Sequence, residues 1–430
     1  MAQVASQAGA SRQVWLLSAL FGLSTVSGTI VVAAASVVGA QLSGRPELAT
    51  LPVALALLGG LSATVPASHA MARWGRRTGF ALGTSIALLG SLVAAWGIHE
   101  SSFALFCVGS FILGTLGGVS PFYRFTAVEV APSGQTHRAI GYVLAGGVAA
   151  GLLGPPLGAA ARDLWGVVPF AGSYAIMAAL ALVVLLLLPF LRVPRTAPAP
   201  SSASDSGTGS PAAGRPLRVL ARDPRAQAAT LAAVTAYAAM VTTMVATPVS
   251  MHHLGFHFGQ TALVIQAHVV AMFAPSFFTG SLVARIGPPR TMALGLAALG
   301  LCAAINLLGH GLVHHWVALV LLGVGWNLLF VAATGLLTQT HSPSEKARVQ
   351  GANDFLVAAV GATAALAAGP LLAVLGWTGL NAVVGLLVVA SSVLLALLLG
   401  RPRRQPGAGA GPPESPKPVA ASPSPPSSAP

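Results

Sequence analysis

Of the nine acidic residues in the chain, only Glu129 and Asp354 lie against long apolar stretches. Glu129 is the last residue but one of the string YRFTAVEV, which also holds Arg124, and Asp354 follows Asn353 in GANDFLV. Carboxylates so placed can pair with a cation or exchange a proton. Arg124 can bind an anion or act as a coupling charge. Leaving it in lipid costs at least about 2.5–3.5 kcal/mol on insertion scales, so it must face a protein interior or reach the headgroups. Asp354 has a simpler reading as a helix N-terminal acid beside a capping Asn353, stabilised by about 0.3–1 kcal/mol. No carboxylate stands in the middle of an apolar stretch, which argues against a proton relay built on a deep Asp or Glu.

His268, in ALVIQAHVVAMFAP, follows Gln266 and has Met272 one turn on along the same face. It can bind substrate or carry a proton near neutral pH, or simply bond a neighbouring helix, worth about 0.6 kcal/mol on average. In GVGWNLLF, Asn327 needs a partner and Trp326 can wall an aromatic substrate. Tyr123, Ser24, Thr25, Ser27, Thr29 and Thr242 or Thr243 are further candidates to line a cavity. His252, His253 and His257 cluster, as do His310, His314 and His315, and imidazole suits Cu, Zn or Ni. Gly255 breaks fixed helical geometry in the first cluster and no carboxylate joins it, so these are read as loop histidines and no metal site is assigned. Cys107 and Cys302 are read as buried apolar side chains, not a disulfide.

The elements that hold these residues follow from composition. Of 430 residues, 55% are hydrophobic and 7% charged, against about 25% charged in a soluble domain. That excludes a soluble enzyme or nucleic-acid binder despite the net charge of +13. Apolar runs of about 20 residues are transmembrane helices. They fall at 14–39, 50–71, 79–98, 103–126, 140–160, 168–191, 227–249, 261–284, 291–311, 315–338, 354–374 and 378–399. The runs are continuous, so they are helices and not barrel strands. The fold class is therefore all-α, with twelve spans.

With both termini in the cytoplasm, all of the 22 cations except Arg45 and Arg162 fall on the inner side. That bias sets the orientation in the cytoplasmic (inner or plasma) membrane. The expected divisions are a cytoplasmic N-terminus 1–13, a six-helix bundle 14–192, a Pro/Ser/Gly-rich flexible linker 193–226, a second six-helix bundle 227–400 and a disordered tail 401–430.

The halves echo each other. Ser68-x-x-x-Ala72-Arg73-Trp74-Gly75-Arg76-Arg77 follows span 2, and Gly280-x-x-x-Ala284-Arg285-Ile286-Gly287 follows span 8. Gly154-Pro155 in span 5 matches Gly369-Pro370 in span 11, and Arg138-x-x-Gly141 matches Arg348-x-x-Gly351. Such repeats mark transporters that rock one half against the other. With these motifs the chain resembles the major facilitator superfamily over residues 10–400. The family's loop motif carries an Asp where Ala72 and Ala284 stand, and the Arg usual after the span 4 Gly is Thr115 here. The Gly-rich GGVAAGLLGPPLG is similar to a motif of proton-coupled antiporters, with Ala159 at a usual Gly.

The resemblance implies a secondary active transporter that moves a small molecule by alternating access, coupled to an ion, with protons the expected one. An uncoupled facilitator or a metal or metal-chelate transporter is the alternative. A sensor or a membrane enzyme fits less well: His99-Glu100 begins a zinc-protease motif but Phe103 stands at the second His. The loop motif implies a cytoplasmic gate at Arg73, Gly75, Arg76, Arg285 and Gly287, with Glu129 as a partner for Arg73. Gly154, Pro155, Gly369 and Pro370 are expected to serve helix packing or bending. Substrate and coupling candidates are Arg124, Tyr123, Gln266, His268, Trp326, Asn327, Asn353 and Asp354. No cofactor is expected, nor a nucleic-acid partner; the bilayer, a small-molecule substrate and a monomeric state are. The span 5 motif leans to efflux, and the residues do not name the substrate.

Overall fold

The structure is a computed structural model that describes residues 2–131, 136–164, 168–193, 216–342 and 345–400. The expected tail lies outside them, as does most of the expected linker. The expected linker's last residues include a short helix, Leu217–Leu220, and the next helix begins at Pro224.

The described residues are helical. The first half comprises α1 (Ala2–Ser43), α2 (Leu51–Trp74), α3 (Arg76–His99), α4 (Phe103–Gly114), α5 (Leu116–Val119), α6 (Phe122–Val130), α7 (Thr136–Ala160) and α8 (Ala171–Leu187). After the short α9 (Leu217–Leu220), the second comprises α10 (Pro224–His253), α11 (Phe258–Phe273), α12 (Ser276–Ile286), α13 (Pro288–Leu308), α14 (Leu312–Leu337) and α15 (Lys346–Leu399).

Ten helices are long and apolar enough to cross a membrane, and α11 with α12 form an eleventh candidate bent by 43°. The expected span 261–284 is therefore a bent one. The cause of the bend is Pro275, which has no N–H to continue the helix. At 1.5 Å per residue, the 54 residues of α15 would run about 81 Å, far beyond a core of about 30 Å. The helix is in fact two, broken at Gly376 (φ 65°, ψ −176°). Counting α15 as two accounts for the twelve expected spans. Span 4 also departs from a single rod. It runs as α4, α5 and α6, interrupted at Thr115 and at Ser120-Pro121, and it extends to Val130, so Glu129 lies within it.

The two copies of the Ala-Arg-x-Gly motif have the same backbone. Gly75 (φ 88°, ψ 160°) ends α2 and starts α3, and Gly287 (φ 84°, ψ 158°) ends α12 and starts α13. This region is open essentially to Gly alone. In each copy the Gly N–H reaches back four residues, to the Met71 and the Val283 carbonyl, both at 3.0 Å. The repeat is thus two identical hinges between consecutive spans. These hinges mark the arginine-rich end of the molecule; the turns at 44–50, 161–164, 254–257 and 376 mark the opposite end.

The ties between the halves gather toward that opposite end. Gln266 on α11 donates to the Leu152 carbonyl on α7 at 2.6 Å. The Gly369 N–H donates to Thr50 Oγ1 at 2.9 Å, and a side chain at Gly369 would strike the Glu47 carbonyl. Gly151 leaves room for Val269 of α11. Gly154 admits Thr29 of α1 so closely that an added Cβ would overlap its hydroxyl. Pro155 and Pro370 lie inside helices that stay unbroken there.

Candidate functional site

Between the halves, toward the arginine-rich end, α6, α10, α14 and α15 bring together an aromatic cluster and two charges. Trp326 and Phe330, four apart on α14, stack with centroids 5.2 Å apart and planes 10° apart. Tyr237 of α10 meets both edge-on, at 5.6 Å and 5.3 Å. Such geometry is worth about 0.5–1.5 kcal/mol per pair beyond burial. Gly361 of α15 faces Tyr237, where an added Cβ would sit 3.5 Å from the ring. Asp354 lies seven residues before Gly361, two turns nearer the arginine-rich end on the same helix face.

Arg124 of α6 lies within electrostatic range of Asp354 and of the Tyr237 hydroxyl. Arg124 and Asp354 do not form a direct ion pair; Arg124 is half-buried and Asp354 exposed. The Asp354 carboxylate takes a 3.3 Å hydrogen bond from Asn353. This arrangement offers flat apolar faces, a guanidinium donor and one carboxylate, from both halves at once. Trp326 is 7% exposed, and its indole N–H has no acceptor.

Other sequence candidates lie elsewhere. Tyr123 is buried inside the first bundle, stacked on Phe80 at 4.1 Å and edge-on to Phe21. Ser24 and Ser27 line a small cavity there with Thr84 and Ser91, so this polar patch of α1 faces its own bundle. Thr25 and Thr29 bond carbonyls of their own helix. Gln266 is spent on the tie to Leu152. His268 is fully buried, and its Nδ1 lies 2.9 Å from the Leu319 carbonyl of α14. It sits in a helix contact, not on an opening.

Asn327 is also used up. It donates to the Met272 carbonyl at 2.7 Å and to Ser276 Oγ at 2.6 Å, and accepts from Thr279 at 2.7 Å. The side chain thus clasps the bend between α11 and α12, where Pro275 interrupts the backbone pattern. Its neighbour Trp326 points to the aromatic cluster, so adjacent residues serve different faces.

At the arginine-rich end, the partner of Glu129 is Arg76, not Arg73. Arg76 Nε lies 3.1 Å and 3.3 Å from the two carboxylate oxygens, and the guanidinium also sits 5.7 Å over Phe122. Arg73 instead leans over Trp74 at 5.9 Å. Both members of the Arg76–Glu129 pair belong to the first half, so the pair braces α3 against α6. In the second copy Arg285 is exposed.

One cluster gave no signal in the sequence beyond its aromatic residues. At the opposite end Phe170 meets Phe258 across the halves, and Arg162 lies 5.0 Å over Phe170 and 6.0 Å over Phe258. Phe170 holds a left-handed backbone (φ 72°), with its N–H on the Arg162 carbonyl at 2.8 Å. A bulky residue there stores about 1–3 kcal/mol of strain.

A profile of the Major Facilitator Superfamily matches residues 16–361 and, overlapping, 229–426. This chain belongs to the Major Facilitator Superfamily. Membership of that family makes it a multi-pass membrane transporter and not an enzyme. The chain is 38% identical over 390 residues to the riboflavin transporter RfnT of Brucella anthropi, covering 91% of this chain and 96% of that protein. It is 31% identical over 402 residues to the uncharacterized MFS-type transporter YddS of Bacillus subtilis, covering 90% and 88%. Among solved structures, a bacterial homolog of the human lysosomal transporter Spinster, in an inward-facing and unoccupied conformation, superposes with a TM-score of 0.66. It has 15% sequence identity, covers 91% of this chain and 96% of its own, and shares the fold.

Proposed function

We propose that this transporter moves riboflavin, or a flavin close to it, across the cytoplasmic membrane by alternating access. The observation that carries the reading is the 38% identity to a riboflavin transporter over nearly the whole of both chains. The aromatic faces of Tyr237, Trp326 and Phe330 agree with a planar ring as cargo. The ties between the halves at one end, with Arg124 and Asp354 unpaired toward the other, fit a form open to the arginine-rich end. By the positive-inside rule that end, and both termini, face the cytoplasm. Asp354 is the acid that the second half presents beside Arg124 of the first, and it supports coupling to protons.

The test is growth of a riboflavin auxotroph lacking its own transporter, with and without this gene, at limiting riboflavin. Purified protein in proteoliposomes then gives riboflavin flux with and without an imposed pH gradient. Riboflavin flux that responds to the gradient in the wild type but not in Asp354→Asn is expected. Flux indifferent to the gradient would leave the facilitator reading, and no riboflavin flux at all would end the assignment.

A further inference from the structure

We infer that Tyr237 stacks the isoalloxazine ring of the flavin, with the Trp326 indole N–H, held in place by Phe330, and the Arg124 guanidinium donating to the ring's carbonyl oxygens. The inference rests on the riboflavin reading and assigns which part of the molecule is recognised, and by what.

The argument begins with the unpaired donor. Buried polar groups are almost always bonded, and one left alone in a low-dielectric interior costs about 1–3 kcal/mol. The Trp326 N–H is buried without an acceptor, beside the half-buried Tyr237 and Phe330. Asn327, the next residue, fills its hydrogen-bonding capacity within the protein, so the orphan is not a general feature of this stretch of α14. An acceptor supplied by cargo would satisfy it.

The ring faces supply the second part. Tyr237 and Phe330 are half-buried, and the Tyr237 ring stands at 66° to Trp326, so a flat molecule stacked on Tyr237 can turn an edge toward the indole N–H. A flat heteroaromatic molecule stacks on such faces at about 1–3 kcal/mol per aromatic partner, judging from base–aromatic stacking. Charge supplies the third. An isoalloxazine ring is neutral and rich in acceptors, with two carbonyl oxygens and unprotonated ring nitrogens. The cluster is rich in donors: the indole N–H, the Tyr237 hydroxyl and the Arg124 guanidinium. A saturated polyol such as the ribityl chain has no flat face to stack and carries its own donors. Arg124 comes from the first half and the aromatic residues from the second, so a ring held here touches both halves.

The test uses purified full-length protein in nanodiscs, with riboflavin binding followed by microscale thermophoresis. Competitors are lumiflavin, which is the ring without the ribityl chain, and ribitol, which is the chain alone. Lumiflavin is expected to displace riboflavin within about tenfold of riboflavin itself, and ribitol to have no effect at millimolar concentration. Trp326→Ala and Tyr237→Ala should each weaken riboflavin binding about tenfold or more, from loss of the indole donor and of the stacking partner respectively. Trp326→Phe keeps a ring but removes the N–H, and should fall between wild type and Trp326→Ala. Arg124→Gln should weaken riboflavin and lumiflavin by the same factor, which a purely structural role would not require. Size-exclusion profiles and thermal unfolding of each variant identify folding failures, and for any such variant the conservative Tyr237→Phe or Trp326→Phe decides. The inference is overturned if ribitol competes and lumiflavin does not, or if folded Trp326→Ala and Tyr237→Ala bind riboflavin like wild type. Wild-type protein that neither binds nor moves riboflavin overturns the transport reading instead, and the ring assignment with it.

Discussion

Phe170 of the first half meets Phe258 of the second edge-on, with ring centroids 4.8 Å apart and planes at 90°. Arg162 covers both rings, so a single cation spans the seam. Edge-to-face pairs contribute about 0.5–1.5 kcal/mol and a cation over a ring about 0.5–1 kcal/mol at exposed sites. Removing the Phe258 ring should therefore shift the balance away from this closure about tenfold. Val269, packed against Gly151 in the same seam, reports on it. With Cys107 and Cys302 replaced by Ala, a Val269→Cys thiol should react with a membrane-impermeant maleimide several-fold faster once Phe258→Ala is added. Equal rates would show that the rings do not hold the seam.

Gly75 and Gly287 hold backbone angles that a side chain resists. Gly75→Ala and Gly287→Ala should each destabilise the protein by about 1–3 kcal/mol. Gly351→Ala is the control, since a Cβ there meets nothing within 4 Å. Thermal unfolding in detergent should place both hinge variants below wild type and Gly351→Ala near it.

The Arg76–Glu129 pair is a quarter exposed on each side, so its worth is modest. A double-mutant cycle between Arg76→Ala and Glu129→Ala should give a coupling energy of about 1 kcal/mol. The same cycle with Arg73→Ala should give none. Coupling of Glu129 to Arg73 instead would refute the pairing.

Asn327→Leu would leave the Met272 carbonyl and the hydroxyls of Ser276 and Thr279 without their partner. Unfolding should begin several degrees lower, from a loss of about 1–3 kcal/mol. If Asn327 held cargo instead, the variant would lose riboflavin binding while keeping its melting temperature.

The helices and their number were legible in the sequence, because lipid demands long apolar runs and cations favour one side. The paired hinges were legible too, since only Gly fits them. The Glu129 partner was not, because Arg73 ends α2 and Arg76 starts α3 on either side of Gly75, and only the tertiary fold shows which of them reaches α6. Trp326 stood out as a large aromatic residue in an apolar run, and Phe330 four residues on shares its helix face. Tyr237 was missed, because only the tertiary fold brings α10 against α14. Asn327 and His268 were conspicuous as polar residues in apolar helices, yet Asn327 and the Nδ1 of His268 bond the protein itself. Polarity in a span shows that a group needs a partner; it does not say whether that partner is cargo or a neighbouring helix.

The single-residue break at Gly376 bears on how the protein is made. The last two spans turn back with no polar segment between them, so nothing at the junction is anchored in water while the second is being synthesised. They are therefore suited to enter the bilayer together, as a helical hairpin. Asn381 of the later arm bonds Asn306 of α13 at 2.8 Å, which docks that hairpin on helices already inserted.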